Sequence, residues 1–216
     1  VLRTVSFAFS SVSDVRIGLG YTAVSLSNGR AGVAYTFRDE ARGGCSVFAG
    51  IRPLFGRPAT DLLALLESGD PIEAAVGLAC ANALANRGDA EHLDGDVLEH
   101  IGIGTADNVA MVGNFAPLVE EIEKRSRSLT IFERIEQPSG CLRPEKEALE
   151  ALPRCDVAII TATAIINRTI DELLAAAENA REVVILGAST PLLPEVFAGK
   201  ATVLSGVVVK SPDGVL

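Results

Sequence analysis

The order of apolar and polar positions divides the chain into two halves that follow different rules. In the first half short apolar runs come early: Val15–Leu19, Tyr21–Leu26 and Ala31–Phe37 each read as strands. The last two flank Asn28-Gly29, a pair that tolerates the positive φ of a tight hairpin turn. After a Gly/Pro-rich stretch, Gly43–Pro58, the period becomes helical. Thr60 is placed to cap a helix through Leu62, Leu63, Leu65 and Leu66 that stops near Gly69. Asp70-Pro71-Ile72-Glu73 predicts a second helix, with Asp as N-cap and Pro in the first turn, carrying Ala75, Val76, Ala79 and Ala83 towards Gly88. Strands followed by paired helices make an α+β module.

From about Asn108 the grammar changes to strand, helix, strand, helix. Val109–Val112 predicts a strand, and Phe115, Leu118, Val119 and Ile122 mark one face of a helix with Pro117 in its first turn. Leu129–Phe132, Asp156–Ile160, Val183–Leu186 and Thr202–Leu204 are further strands. Asp156–Ile160 is apolar without alternation beyond its first residue, as in a parallel sheet buried on both faces. Thr169-Ile170-Asp171-Glu172 reads as a capping box, and Ser189-Thr190-Pro191 as a cap-plus-proline helix start. The expected architecture is therefore α/β: an N-terminal α+β domain over 1–100, followed by a Rossmann-like, doubly wound parallel sheet over 101–216.

Composition refines this picture only at the margins. The chain has 216 residues, 48% apolar and 22% charged, with no Trp, so a core of Val, Ile, Leu and Ala is expected. A net charge of −9 argues against a nucleic-acid or anionic-membrane surface, while leaving room for a local positive pocket. Cys45, Cys80, Cys141 and Cys155 form no CxxC pair, and Cys80 and Cys155 sit in apolar stretches as small hydrophobes, so no disulfide framework or thiolate zinc site is expected. No apolar run is long enough to span a bilayer, and the first residues lack the features of a secretory signal, so a cytoplasmic location is expected.

Ligands of open parallel sheets bind at the carboxyl ends of the strands, beside helix N-termini. That rule selects Gly113-Asn114-Phe115, Glu133-Arg134, Thr161–Thr169 and Gly187–Pro191. Thr161, Thr163 and Asn167 read equally as ligand contacts or as loop chemistry, and Thr169 and Thr190 chiefly as caps. Glu133 follows Gly113 by twenty residues, the place of a ribose-binding acid in dinucleotide folds. The sequence VGNFAP replaces the glycine fingerprint, which disfavours ordinary NAD binding. Glu133 is then a polar ligand contact, a salt-bridge partner between domains, or an acid/base group. Asp89 and Glu91 lead into His92, Asp94, Asp96 and His100, an acidic stretch that could ligate a hard cation; without an HExxH or EF-hand spacing it reads better as an acidic linker. GxSxG and Walker A motifs are absent.

Taken in order, the strings IGLGYTAVSL, GRAGVAYTF, GLACANALAN, VAMVGNFAPLV, LTIFER, LPRCDVAIITATAIINRTIDELL and VVILGASTPLLPEVF resemble the heavy-metal chelation family, a group of domains of unknown function. The resemblance runs from about Val15 to Gly206 and is strongest from Met111 onward; Val1–Ser13 departs from it, where a leading helix would be expected. It implies an enolase-N-terminal-like half, then a Rossmann-like half, with a ligand held in a cleft between them. The implied contacts are Tyr21 and Asn82 from the first half, and Gly113, Asn114, Glu133, Thr161, Asn167, Ser189 and Thr190 from the second; the loop rule adds Thr163 and Gly187. Asn82 reads equally as a helix-packing hydrogen bond.

Three functions follow. The first is a small-molecule or metal-chelate binding protein, with a metal ion or chelate as its cofactor. The second is an enzyme acting on an anionic metabolite or nucleotide-like ligand, with Glu133 as acid/base, and the third an interaction module without catalysis. A homo-oligomer is open under each.

Overall fold

The computed structural model describes residues 10–38, 47–88 and 92–214. Cys45, Asp89, Glu91 and most of the Val1–Ser13 segment lie outside those residues. The chain folds into two compact units, 1–91 with 187–196 and 206–216, and 92–186 with 197–205.

The first unit is built on an antiparallel meander of β1 (Val12–Ile17), β2 (Tyr21–Leu26) and β3 (Ala31–Tyr35). β2 and β3 pair Tyr21 with Tyr35 and Ser25 with Ala31 around the expected turn, where Gly29 takes φ +79°. Helix α1 (Ala59–Leu63) runs into a 3-10 turn, and α2 (Pro71–Ala85) follows. Pro58 rather than Thr60 precedes α1, because residue 58 is already tied to Ser11 in a β-bridge and the helix starts as soon as it is released. Asp70 caps α2 as its sequence predicts, accepting from the Ile72 and Glu73 amides at 2.8 and 3.3 Å.

α2 is apolar all round and is buried on nearly every side. On one side β3 approaches so closely that a Cβ on Gly32 would lie 2.1 Å from the Ala83 nitrogen. On another, a Cβ on Gly77 would meet the Leu66 nitrogen at 2.6 Å. Glycines at both contact points let backbone pack on backbone.

The second unit carries a six-stranded sheet of β4 (Asn108–Val112), β5 (Ser128–Glu133), β6 (Leu142–Pro144), β7 (Val157–Thr161), β8 (Glu182–Leu186) and β9 (Val203–Ser205). Every neighbouring pair is parallel, and the order is β6-β5-β4-β7-β8-β9. In chain order that is 3-2-1-4-5-6, the doubly wound arrangement of Rossmann sheets. Successive side chains of a strand leave opposite faces, and both faces are covered. Ala110, Val112, Phe132, Ala158, Ile160 and Ile185 pack with Leu152, Leu173 and Leu174, from the helical segments α4 (Ala148–Ala151) to α6 (Ile170–Ala176). Val109, Met111, Ile131, Ile159 and Val184 pack with Ile122 of α3 (Ala116–Arg125).

Segments 187–196 and 206–216, from the range expected to form the second domain, belong to the first compact unit. Asn86, just past α2, donates to the Thr190 and Val207 carbonyls at 2.9 and 3.1 Å and accepts from the Leu192 amide at 2.7 Å, so one buried amide holds both returning segments. No helix starts at Pro191, since Pro194 lacks the N–H that would close a first turn on the Thr190 carbonyl. Thr169 does not cap α6 through its side chain. Its backbone is in the helical region at φ −101°, ψ −6°, after a turn at Arg168 (φ +61°) that separates it from the short α5 (Thr163–Ile166), and its hydroxyl is buried without a partner. Among the described residues no helix is long and apolar enough to cross a membrane.

Candidate ligand site at the strand ends

In the parallel sheet, the connection after β4 runs to one side and the connection after β7 to the other, so these two neighbours form the topological switch point. Gly113 follows β4 with φ +87°, and a Cβ there would lie 2.9 Å from the Thr161 Cβ and 3.0 Å from its Cγ2. Glycine is thus required twice, by conformation and by the approach of β7. The Gly113 amide continues the sheet by donating to the Phe132 carbonyl at 2.8 Å.

Glu133 closes β5 beside this turn. Its Oε2 accepts from the Asn114 amide at 3.0 Å and its Oε1 from the Arg134 amide at 2.8 Å. The Arg134 guanidinium pairs with Glu145 at 3.3 Å. At the end of β7, the Thr161 and Thr163 hydroxyls share a hydrogen bond of 2.9 Å, and the Thr163 amide leans on the Thr161 Oγ1 at 3.4 Å. Gly113, Asn114, Glu133, Thr161 and Thr163 are therefore drawn together by direct contacts. Asn167 stands at the end of α5, its amide on the Thr163 carbonyl at 3.1 Å.

The remaining candidates belong to the first unit. Ser189 and Thr190 are buried, and both hydroxyls are engaged there. The Ser189 Oγ accepts from the Tyr35 amide at 2.9 Å, while the Thr190 hydroxyl and amide both donate to the Gly187 carbonyl, at 2.7 and 3.0 Å. Tyr21 is exposed and meets the Tyr35 ring edge-on at 6.2 Å. Asn82 is buried on α2; its Nδ2 donates to the Val33 carbonyl at 2.8 Å, and its Oδ1 is buried without a partner.

The acidic stretch is spread along the chain. Asp96 caps a 3-10 turn through the Leu98 amide at 2.9 Å, and the His100 Nε2 lies 3.4 Å from the Asp94 carbonyl. With His92 included, the described residues contain no group of three or more His, Cys, Asp or Glu side chains placed to hold a metal ion. Burial pushes the Cys80 thiol up to about 12 and the Cys155 thiol up to about 11, each donating to a backbone carbonyl. Protonated, enclosed thiols are poor ligands for a soft metal. The described residues do not fit a heavy-metal cage.

Two polar anchors escaped sequence reading. Asn86 is one; its partners lie more than a hundred residues along the chain. The other is Asp107, just before β4, which takes a two-pronged bond from Arg181, just before β8, at 3.1 and 2.9 Å. The Arg181 bonds, helped by the Gly104 amide at 2.7 Å, hold the Asp107 carboxyl below the usual range.

Comparison with known proteins matches the two halves of the chain separately. Residues 96–216 match the DUF364 family and residues 7–85 the DUF4213 family, both described as "Putative heavy-metal chelation". The chain belongs to the DUF364 family. An uncharacterized protein of Methanocaldococcus jannaschii, MJ0500, is 31% identical over 205 residues, covering 87% of this chain and 74% of that protein. A DUF364 protein of unknown function from Desulfitobacterium hafniense DCB-2 superposes with a TM-score of 0.79 at 25% identity, over 93% of this chain and 80% of that one. Another, from Pyrococcus horikoshii, gives 0.72 at 27%, over 90% and 79%. The family relation anticipated from the ordered strings holds.

Proposed function

We propose that this protein binds a small polar molecule or a metal chelate through the strand-end loops of its parallel sheet. The observation that carries the reading is the convergence of Gly113, Asn114, Glu133, Thr161 and Thr163 at the switch point, where open α/β sheets bind their ligands. Both hydroxyls and the carboxylate keep lone pairs beyond the bonds already made. The heavy-metal description of the family fits a ligand that brings its own donor atoms, since the described residues supply no metal cage. The alternative, an enzyme acting on an anionic metabolite with Glu133 as acid/base, is held back by one feature. Both carboxylate oxygens already accept backbone N–H groups, so the carboxylate is engaged in holding the turn.

Native mass spectrometry of gently purified protein, with elemental analysis of the same sample, tests the reading. A near-stoichiometric adduct of small mass, lost from a Thr161→Val/Glu133→Ala variant that still folds, is expected. An adduct-free protein, or one whose adduct survives that variant, would refute it.

A further inference from the structure

We propose that Glu133 sets the specificity of the switch-point site by occupying, with its own carboxylate, the place that this strand order ordinarily gives to a phosphate. The inference rests on the ligand-site reading above and names the class of ligand: one that presents hydroxyl or amine donors and carries no phosphate at this turn.

The backbone donors of the turn that are already engaged carry the inference. A phosphate at the first β–α turn of such a sheet is held by free N–H groups of the turn and of the helix that follows. Here the Asn114 N–H is taken by the Glu133 Oε2 at 3.0 Å. Pro117, in the first turn of α3, has no N–H, and the Leu118 N–H donates to the Phe115 carbonyl at 2.8 Å. The second residue after Gly113 is Phe115, where the dinucleotide fingerprint has glycine. A negative charge is thus already seated on the Asn114 N–H, one of the donors an incoming phosphate would use. The nearby Arg134 guanidinium is paired with Glu145. The groups that face a ligand, the Glu133 carboxylate and the Thr161–Thr163 hydroxyl pair, are rich in acceptors. They suit a diol or an ammonium group.

Inorganic pyrophosphate is the probe, titrated calorimetrically into the full chain at low ionic strength. Wild-type protein, Glu133→Ala and Glu133→Gln are compared after circular dichroism shows each to be folded. Removing the carboxylate frees the Asn114 N–H and lifts the repulsion of one unit charge at hydrogen-bond range. Glu133→Ala is therefore expected to bind pyrophosphate on the order of tenfold more tightly than wild type. Glu133→Gln, which loses the charge but keeps an acceptor, falls between them. Equal affinity of wild type and Glu133→Ala, including no detectable binding by either, would overturn the assignment. A phosphorylated adduct on the wild-type protein that Glu133→Ala loses would do the same. Neither result coincides with failure of the binding reading itself, which shows as a protein that carries no adduct.

Discussion

Replacing Gly113 by alanine isolates the tightest contact of the candidate site. Two independent costs arise. At φ +87° an L-residue is strained by about 1–2 kcal/mol. The new methyl would also sit 2.9 Å from the Thr161 Cβ and 3.0 Å from its Cγ2, well inside ordinary contact, and β7 is buried on both faces and cannot retreat freely. Overpacking of this kind costs roughly 1–3 kcal/mol. Together they predict a loss of about 2–5 kcal/mol, a large share of the stability of an ordinary domain. Urea unfolding followed by circular dichroism measures it, with the slope checked for constancy. The two costs separate in a double-mutant cycle. Thr161→Gly removes the atoms that the alanine would strike but leaves the backbone strain, so it should recover about 1–3 kcal/mol in the Gly113→Ala background. A Gly113→Ala variant within about 0.5 kcal/mol of wild type would refute the reasoning, and so would a cycle with no coupling.

Three further outcomes are expected. Asn86→Ala leaves two carbonyls and one N–H without their buried partner, so about 3 kcal/mol or more is lost and protease cleavage within 187–196 accelerates; Asn86→Asp, which keeps only the acceptor, does not rescue either readout. Native protein treated with iodoacetamide at pH 8 should leave Cys80 and Cys155 unmodified by peptide mapping while half-exposed Cys141 reacts, because with thiols raised to about 12 and about 11 only ~0.01% and ~0.1% are thiolate. Asp107 has a depressed carboxyl, so its stabilising effect is present above the ordinary carboxylate range and is lost as pH falls through its native value. The stability gap between wild type and Asp107→Asn, measured by urea unfolding from pH 7 to 3, should therefore narrow towards the acid end, and a gap that widens would be wrong in sign.

Local signals account for most of what was legible. β2 begins and ends where Tyr21–Leu26 predicts, the Asp70 cap holds, and the unalternating run of β7 announces a sheet covered on both faces. Each depends on residues within a turn or two of one another. What was not legible depends on distant partners. The Ser189-Thr190-Pro191 start is sound as a local signal, but the Thr190 carbonyl and Leu192 amide are claimed by Asn86, from the far end of α2. β6 and α4 lie in a stretch, 134–155, whose mixed pattern carries neither period clearly, and β6 forms by pairing with β5. The candidate site shows the same split. Gly113, Glu133 and Thr161 could be picked out because strand ends are readable, whereas their mutual contacts depend on a strand order that no local pattern encodes.

The chemistry of the donors bears on what a heavy-metal family could do with this fold. Soft cations are held by thiolates, and binding requires the thiols to ionise. Cys80 and Cys155 belong to different units, and each is enclosed and held protonated, so neither serves. The switch point offers a carboxylate already fixed by two N–H groups and a pair of neutral hydroxyls. Such a set grips a soft metal weakly but recognises an organic frame well, through hydroxyl or amine donors aimed at fixed acceptors. On the proposed reading, selectivity therefore resides in the chelator and not in the metal. Exchanging the ion within a bound chelate should change affinity little, whereas methylating the chelator's hydroxyls should abolish it. The opposite ranking in a titration series would move the metal itself into the first position and require donors beyond the switch-point carboxylate and hydroxyls.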